Sequence, residues 1–300
     1  MDILFSTVKE LVGLAEESGR PISELMIEQE MQITKRSREE VVAQMERNLE
    51  VMEEAVEKGL KGVSSTSGLT GGDAVLIQNY IKSGKSLSGD LLLDAVSKAV
   101  ATNEVNAAMG MICATPTAGA AGIVPGTLFA VKNKLNPTRE QMINFLFTSG
   151  AFGFVVANNA SISGAAGGCQ AETGSAASMA AAAIVEMAGG TPQQSADAFS
   201  IVMKNMLGLV CDPVAGLVEV PCVKRNAMGA AKALVGADMA LAGVKSVIPT
   251  DEVIEAMHRI GRSMPSALRE TAKGGLAATP TGKRLEAEIF GKKAEESVVD

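Results

Sequence analysis

Between Ser37 and Leu60 the residues Val42, Met45, Leu49, Met52 and Val56 recur at spacings of three and four. That is the period of one helical face, whereas a half-buried strand alternates every second residue. Ser37 with Glu40 makes a capping box at the start of this helix. Thr138 with Gln141 repeats the pattern before a helix predicted to run toward Phe152. Thr191-Pro192-Gln193-Gln194 adds proline at the first helical position, and Thr250-Asp251-Glu252 opens a last helix that carries His258. Long stretches of apolar and polar alternation are hard to find. The chain reads as mainly α.

A helical core here must be filled without large rings. The chain is 47% hydrophobic but has no tryptophan, one tyrosine and eight phenylalanines. Ala, Met, Leu, Ile and Val therefore fill it, with Met adapting to irregular gaps. Length admits one large domain or two ordinary ones. With no linker and no internal repeat, residues 1–300 read as one domain, with the charged tail Lys292 to Asp300 expected to fray. The net charge of −7 argues against a nucleic acid partner, and the scarcity of aromatics removes stacking platforms for single strands. Met1 to Arg20 does not read as a signal peptide, and the apolar run Ala181 to Ala188 is short and broken by Glu186, so no membrane span is expected. The expected location is the cytoplasm. There the four cysteines are free, metal-bound or catalytic sooner than disulfide-bonded.

Glycines gather at Gly68 to Gly72, Gly119 to Gly126, Gly164 to Gly174 and Gly274-Gly275, each beside a predicted helix. Such loops let backbone N–H groups approach a ligand, or else let helices pack closely. Ser65, Ser67 and Thr70 with Gly71 and Gly72 make either an anion-binding loop or an ordinary polar turn. Cys169 closes the run Ser163-Gly164-Ala165-Ala166-Gly167-Gly168-Cys169. Cys211 opens Cys211-Asp212-Pro213, Cys222 ends Val220-Pro221-Cys222, and Cys113 sits in Ile112-Cys113-Ala114-Thr115-Pro116-Thr117. The lack of a C-x-x-C pair and the single histidine speak against structural zinc and against a ferredoxin-type carrier. Inert buried thiols, a cysteine nucleophile using His258 as base, and a metal cluster at a loop junction all stay open on spacing alone.

The blocks SSTSGLTGGD from Ser64, NEVNAAMGMICATPTAGAAGIVPG from Asn103, NNASISGAAGGCQAE from Asn158, MLGLVCDPVAGLVEVPCVKRNAMGA from Met206 and RETAKGGLAATPTG from Arg269 cover nearly the whole chain. They resemble the iron–sulfur-dependent L-serine dehydratases, in particular the α subunit of the two-chain bacterial form. The resemblance implies a single helical catalytic domain and a lyase converting L-serine to pyruvate and ammonia. It further implies that Cys169, Cys211 and Cys222 ligate a four-iron, four-sulfur (4Fe-4S) cluster whose open iron is the Lewis acid, with no pyridoxal phosphate. Within that frame Ser65, Ser67, Thr70 and Gly71 are expected to bind the substrate carboxylate. Asn158, Asn159 and Ser163 are expected to hydrogen-bond substrate or cluster sulfurs, or else to satisfy buried backbone, and Arg269 to clamp a carboxylate unless it pairs with Glu270 or another acid. Lys224 and Arg225 offset the cluster charge or merely begin a solvated helix. Cys113 is expected near the site but not as a ligand, and His258 on a helix surface. Single-chain relatives carry a further domain with a histidine-bearing substrate motif, and some a C-terminal cysteine; neither is found in this sequence. A β chain bringing the Cα base is therefore expected, and the resting fourth ligand stays open. The rival readings are a cluster-dependent cysteine desulfidase-like lyase and a non-catalytic iron–sulfur sensor or structural subunit.

Overall fold

The periodicity becomes helix almost everywhere. The computed structural model describes residues 4–291, and the expected fraying of Lys292 to Asp300 lies outside them. Thirteen α-helices follow in order among the described residues. They are α1 (Val8–Ser18), α2 (Ile22–Thr34), α3 (Arg38–Leu60), α4 (Asp73–Lys82), α5 (Asp90–Ala107), α6 (Ile123–Leu135) and α7 (Arg139–Asn159). Then come α8 (Gly164–Gly167), α9 (Ser175–Met187), α10 (Pro192–Lys204), α11 (Cys222–Leu241), α12 (Thr250–Ser263) and α13 (Pro280–Phe290). No strand forms among the described residues; β-pairing is confined to two isolated bridges, Ser64 with Gly71 and Cys211 with Arg269. The capping boxes at Ser37, Thr138 and Thr191 all form. The helix begun at Thr138 runs past Phe152 to Asn159, because its sequence meets no breaker there. The helix at Thr250 is not the last. Thr279 caps α13 by accepting from the Gly282 N–H at 3.1 Å, with Pro280 at the first helical position.

The core is organised around α9, whose residues Ser175 to Val185 are all buried. A helix apolar on every face belongs in the interior. Its run of alanines lets α6, α7, α10 and α11 approach from several sides. The largest fully buried side chains include Phe145, Phe152 and Phe199, and the Phe152 and Phe199 rings stack at 5.3 Å between centroids. Part of the Gly119 to Gly126 run serves packing alone. A Cβ on Gly126 would lie 2.7 Å from the Ala99 nitrogen of α5. Among the described residues no helix is long and apolar enough to cross a membrane.

Two helices start on residues that cannot cap them, and distant carboxylates do so instead. α2 begins after Pro21, and Glu186 of α9 accepts from the Ile22 and Ser23 N–H groups at 2.7 and 3.2 Å and from the Thr148 hydroxyl at 2.5 Å. α4 begins after Gly72, and Glu104 of α5 accepts from the Asp73 N–H at 2.7 Å. Burial holds the Glu104 carboxyl above the usual carboxylate range, although the Asp73 and Ala74 N–H groups pull it down. Each carboxylate also answers the positive end of a helix. Glu186→Ala is expected to cost about 1–3 kcal/mol, since two helix N-terminal donors lose their acceptor while the Thr148 hydroxyl keeps only the Asn144 carbonyl. The check is the midpoint of urea unfolding at unchanged slope; a change below about 0.5 kcal/mol would deny the carboxylate this role.

Candidate functional site

Cys169 leaves α8 into a π-helical turn, Gln170–Gly174, which runs straight into α9. Such turns interrupt helices mostly at functional sites. The fully buried Gln170 fixes the turn. Its amide donates to the Gly167 and Met257 carbonyls at 3.0 and 2.9 Å, and its oxygen accepts from the Gly208 N–H at 2.8 Å. Gln170 thereby ties Cys169 both to α12 and to the segment that leads into Cys211.

The Cys211–Cys222 segment folds back on itself, with the Val214 N–H donating to the Val220 carbonyl at 2.8 Å. Cys211 is gripped on the backbone: its N–H donates to Leu268 at 2.8 Å and its carbonyl accepts from Glu270 at 2.7 Å. Arg225 of α11 straddles the same residue, donating to the Val210 carbonyl at 2.8 Å and pairing with Asp212 at 2.9 Å. Cys222 is the first residue of α11. Asn226, one turn on, donates to the Cys222 and Gly119 carbonyls at 2.9 and 2.7 Å and accepts from Gly122. Three separate chain segments are thus locked around the thiols.

The ligand atoms of Cys169, Glu172 and Cys211 all lie within 4.8 Å of one another, and all three residues are buried. The Cys169 sulfur is also 3.1 Å from the Thr173 hydroxyl. A hydrogen bond shared between Cys169 and Cys211 pulls the first thiol down and pushes the second up, and burial raises Cys211 further. Cys222 is pushed up to about 12, by burial first and then by the charges of Cys169 and Glu172. Burial likewise raises Glu172, against the bond donated by Thr117. Arg225 stays protonated despite burial because Cys169 and Asp212 favour its charge. The result is a buried pocket of soft sulfur donors with one carboxylate and one held cation, suited to a thiolate-ligated metal.

The family model described as "Serine dehydratase alpha chain" matches residues 17–277. The chain belongs to the serine dehydratase alpha chain family. Across 288 residues it is 74% identical to the "Probable L-serine dehydratase, alpha chain" of Bacillus subtilis (strain 168), covering 96% of each chain. Across 283 residues it is 45% identical to the "L-serine dehydratase, alpha chain" of Peptoniphilus asaccharolyticus, covering 94% of this chain and 97% of that one. With the "L-serine dehydratase TdcG" of Escherichia coli (strain K12) the identity is 38% over 284 residues, which is 91% of this chain but only 61% of that protein.

The other residues singled out in this serine dehydratase alpha chain sequence meet different fates. Ser65, Ser67 and Thr70 lie in one turn closed by the Ser65 N–H to Thr70 carbonyl bond at 3.0 Å. Gly71 sits at φ 147°, and a Cβ there would lie 2.6 Å from the Ser64 Cα. The turn docks on the Cys211–Cys222 segment, where the Ser67 hydroxyl lies 2.8 Å from both oxygens of buried Glu219. Arg269 comes beside Cys211, and its Nε is buried without a partner. It makes no ion pair among the described residues, so the expected alternative of a pair with Glu270 does not form. Asn158 and Asn159 are exposed, and the Asn159 amide donates to the Ser6 carbonyl at 2.7 Å, a partner outside the thiol pocket. Ser163 caps α8. Lys224 pairs with Asp73 of α4, which leaves Arg225 alone to face the sulfurs. Cys113 lines a cavity of about 300 Å³ with Met45, Thr115, Ser149 and Met179, apart from the other three cysteines. His258 is half-buried on α12, a helix that packs on the turn bearing Cys169. The sequence reading missed Gln170, Glu172, Asp212 and Glu219. The signal for Glu172 was its place three residues after a cysteine, on the same side of one helical turn.

Proposed function

We propose that this chain is the catalytic subunit of an L-serine ammonia-lyase that releases pyruvate and ammonia, with residues 1–300 as one catalytic domain. The observation that carries the reading is the convergence of Cys169 and Cys211 with Glu172, and of Cys222 in their field, in a chain of this family. The residues fit a 4Fe-4S cluster. Three buried thiols are the usual donors for such a centre, Arg225 balances negative charge, and a Cβ on Gly164 would stand 2.7 Å from the Cys211 sulfur, so the backbone leaves that side of the sulfur free.

Bound there on Cys169, Cys211 and Cys222, the cluster supplies a Lewis-acid iron for loss of the substrate hydroxyl. The chain's own residues do the rest. Arg269, with Nε unpartnered, takes the substrate carboxylate as a two-pronged donor. Thr70, whose buried hydroxyl has no partner among the described residues, adds a further donor from the glycine-bearing turn. Glu219 holds that turn through Ser67 and, with no basic partner among the described residues, is available to the substrate ammonium. The relatives named as alpha chains support a β chain as partner, and four free thiols agree with a cytoplasmic setting. No pyridoxal phosphate takes part in this reading.

The test is anaerobic reconstitution with iron and sulfide, with and without the β chain, followed by pyruvate release from L-serine and from L-cysteine. L-serine is expected to be the better substrate. A preference for L-cysteine would make the chain a desulfidase, and a full iron complement with no turnover of either would make it a sensor or structural subunit. Activity is also expected to decay in air and to return with iron and thiol under reducing conditions. An air-stable activity with an unchanged spectrum would count against an open iron.

A further inference from the structure

Three thiols leave one iron of a four-iron cluster without a cysteine, and Cys113 lines a different cavity. Resting on the cluster reading above, we infer that the Glu172 carboxylate is the resting oxygen ligand of that iron, displaced when the substrate binds.

Five observations lead there. The Glu172 carboxylate lies within 4.8 Å of the sulfurs of both Cys169 and Cys211. It is 8% exposed, yet among the described residues its bonded partner is only the Thr117 hydroxyl. Among the described residues no lysine or arginine pairs with it; Arg225 pairs with Asp212 instead. A buried carboxylate without a cation is costly, and coordination to a metal is one of the few ways to offset that cost. The chain also keeps space for it: a Cβ on Gly119 would overlap the Glu172 Oε1. Finally, Glu172 lies in the π-helical turn that begins directly after Cys169, which keeps the carboxylate close to that thiol.

The chemistry of the donor suits the role. A carboxylate is a harder ligand than a thiolate and holds a cluster iron less firmly. A substrate carboxylate or hydroxyl can replace it without any change of redox state, and the charge of a departing Glu172 stays beside Thr117. A purely structural Thr117–Glu172 pair would never touch iron.

The experiment uses the full chain, reconstituted anaerobically with its β chain, after growth on glutamate labelled with carbon-13 in the side-chain carboxyl. The cluster is reduced by one electron and examined by electron–nuclear double resonance. A carbon-13 coupling is expected in the resting protein, lost on adding L-serine, and absent from Glu172→Ala protein of equal iron content. A resting wild-type protein with four irons and no coupling overturns the inference while the cluster reading stands, whether or not the variant folds. A coupling that survives L-serine overturns the displacement. Failure of wild-type protein to take up any cluster overturns both readings together.

Discussion

Cys211→Ser is expected to remove the visible absorption of the reconstituted protein and to lower serine turnover at least ~1,000-fold, the equivalent of about 4 kcal/mol of transition-state stabilisation. The substitution changes one atom, and the loop that carries it is held by other means. Leu268 and Glu270 bind the Cys211 backbone, Arg225 grips Val210 and Asp212 on either side, and Asp212 accepts from the Leu276 N–H at 2.7 Å. The variant should therefore fold as the parent does and fail only at the metal. Cys169→Ser and Cys222→Ser are expected to behave alike, because both thiols are buried, each on its own anchored segment, and Cys222 lies in the field of Cys169 and Glu172. Cys113→Ser should keep cluster and activity. Iron analysis, absorption and pyruvate release on matched anaerobic samples decide the matter. Full iron content in the Cys169, Cys211 and Cys222 variants would show that these thiols are structural.

Adding the β chain is expected to raise serine turnover by the cluster-loaded chain about 100- to 10,000-fold, the usual contribution of a positioned acid or base. Proton abstraction at Cα near neutrality favours histidine, and this chain has one. His258 lies nearer to the pocket than its sequence position implied, since the Met257 carbonyl accepts from Gln170 beside Cys169. Yet Met257 faces the core and is fully buried, while its neighbour His258 is only half-buried, one position further round the helix. His258→Ala in the complex is thus expected to change kcat less than about threefold, a shift under 1 kcal/mol. Activity of the chain alone equal to that of the complex would remove the partner's role. A collapse on replacing His258, with iron content intact, would put the base on this chain.

The helices were legible in the sequence because their determinants are local. Capping boxes at Ser37, Thr138 and Thr191 and the apolar stripe of Val42 to Val56 act over one or two turns, and each formed. The missed helix, Pro280–Phe290, also had a local signal in Thr279-Pro280. Cys169, Cys211 and Cys222 were singled out through family likeness, since spacings of forty-one and ten residues carry no geometry of their own. What the tertiary structure decided was everything that depends on distant segments meeting. It chose Arg225 over Lys224 as the cation near sulfur, because Asp73 captures Lys224 and Asp212 orients Arg225. It gave the Asn159 amide to Ser6 and left the Arg269 Nε unpartnered beside Cys211. It also brought the Glu172 carboxylate within 4.8 Å of two thiols, with no ion pair of its own among the described residues. A side chain's type is written in the sequence, but its charge partner is chosen by the segments that packing brings within a few ångströms, and in this chain those segments lie far apart.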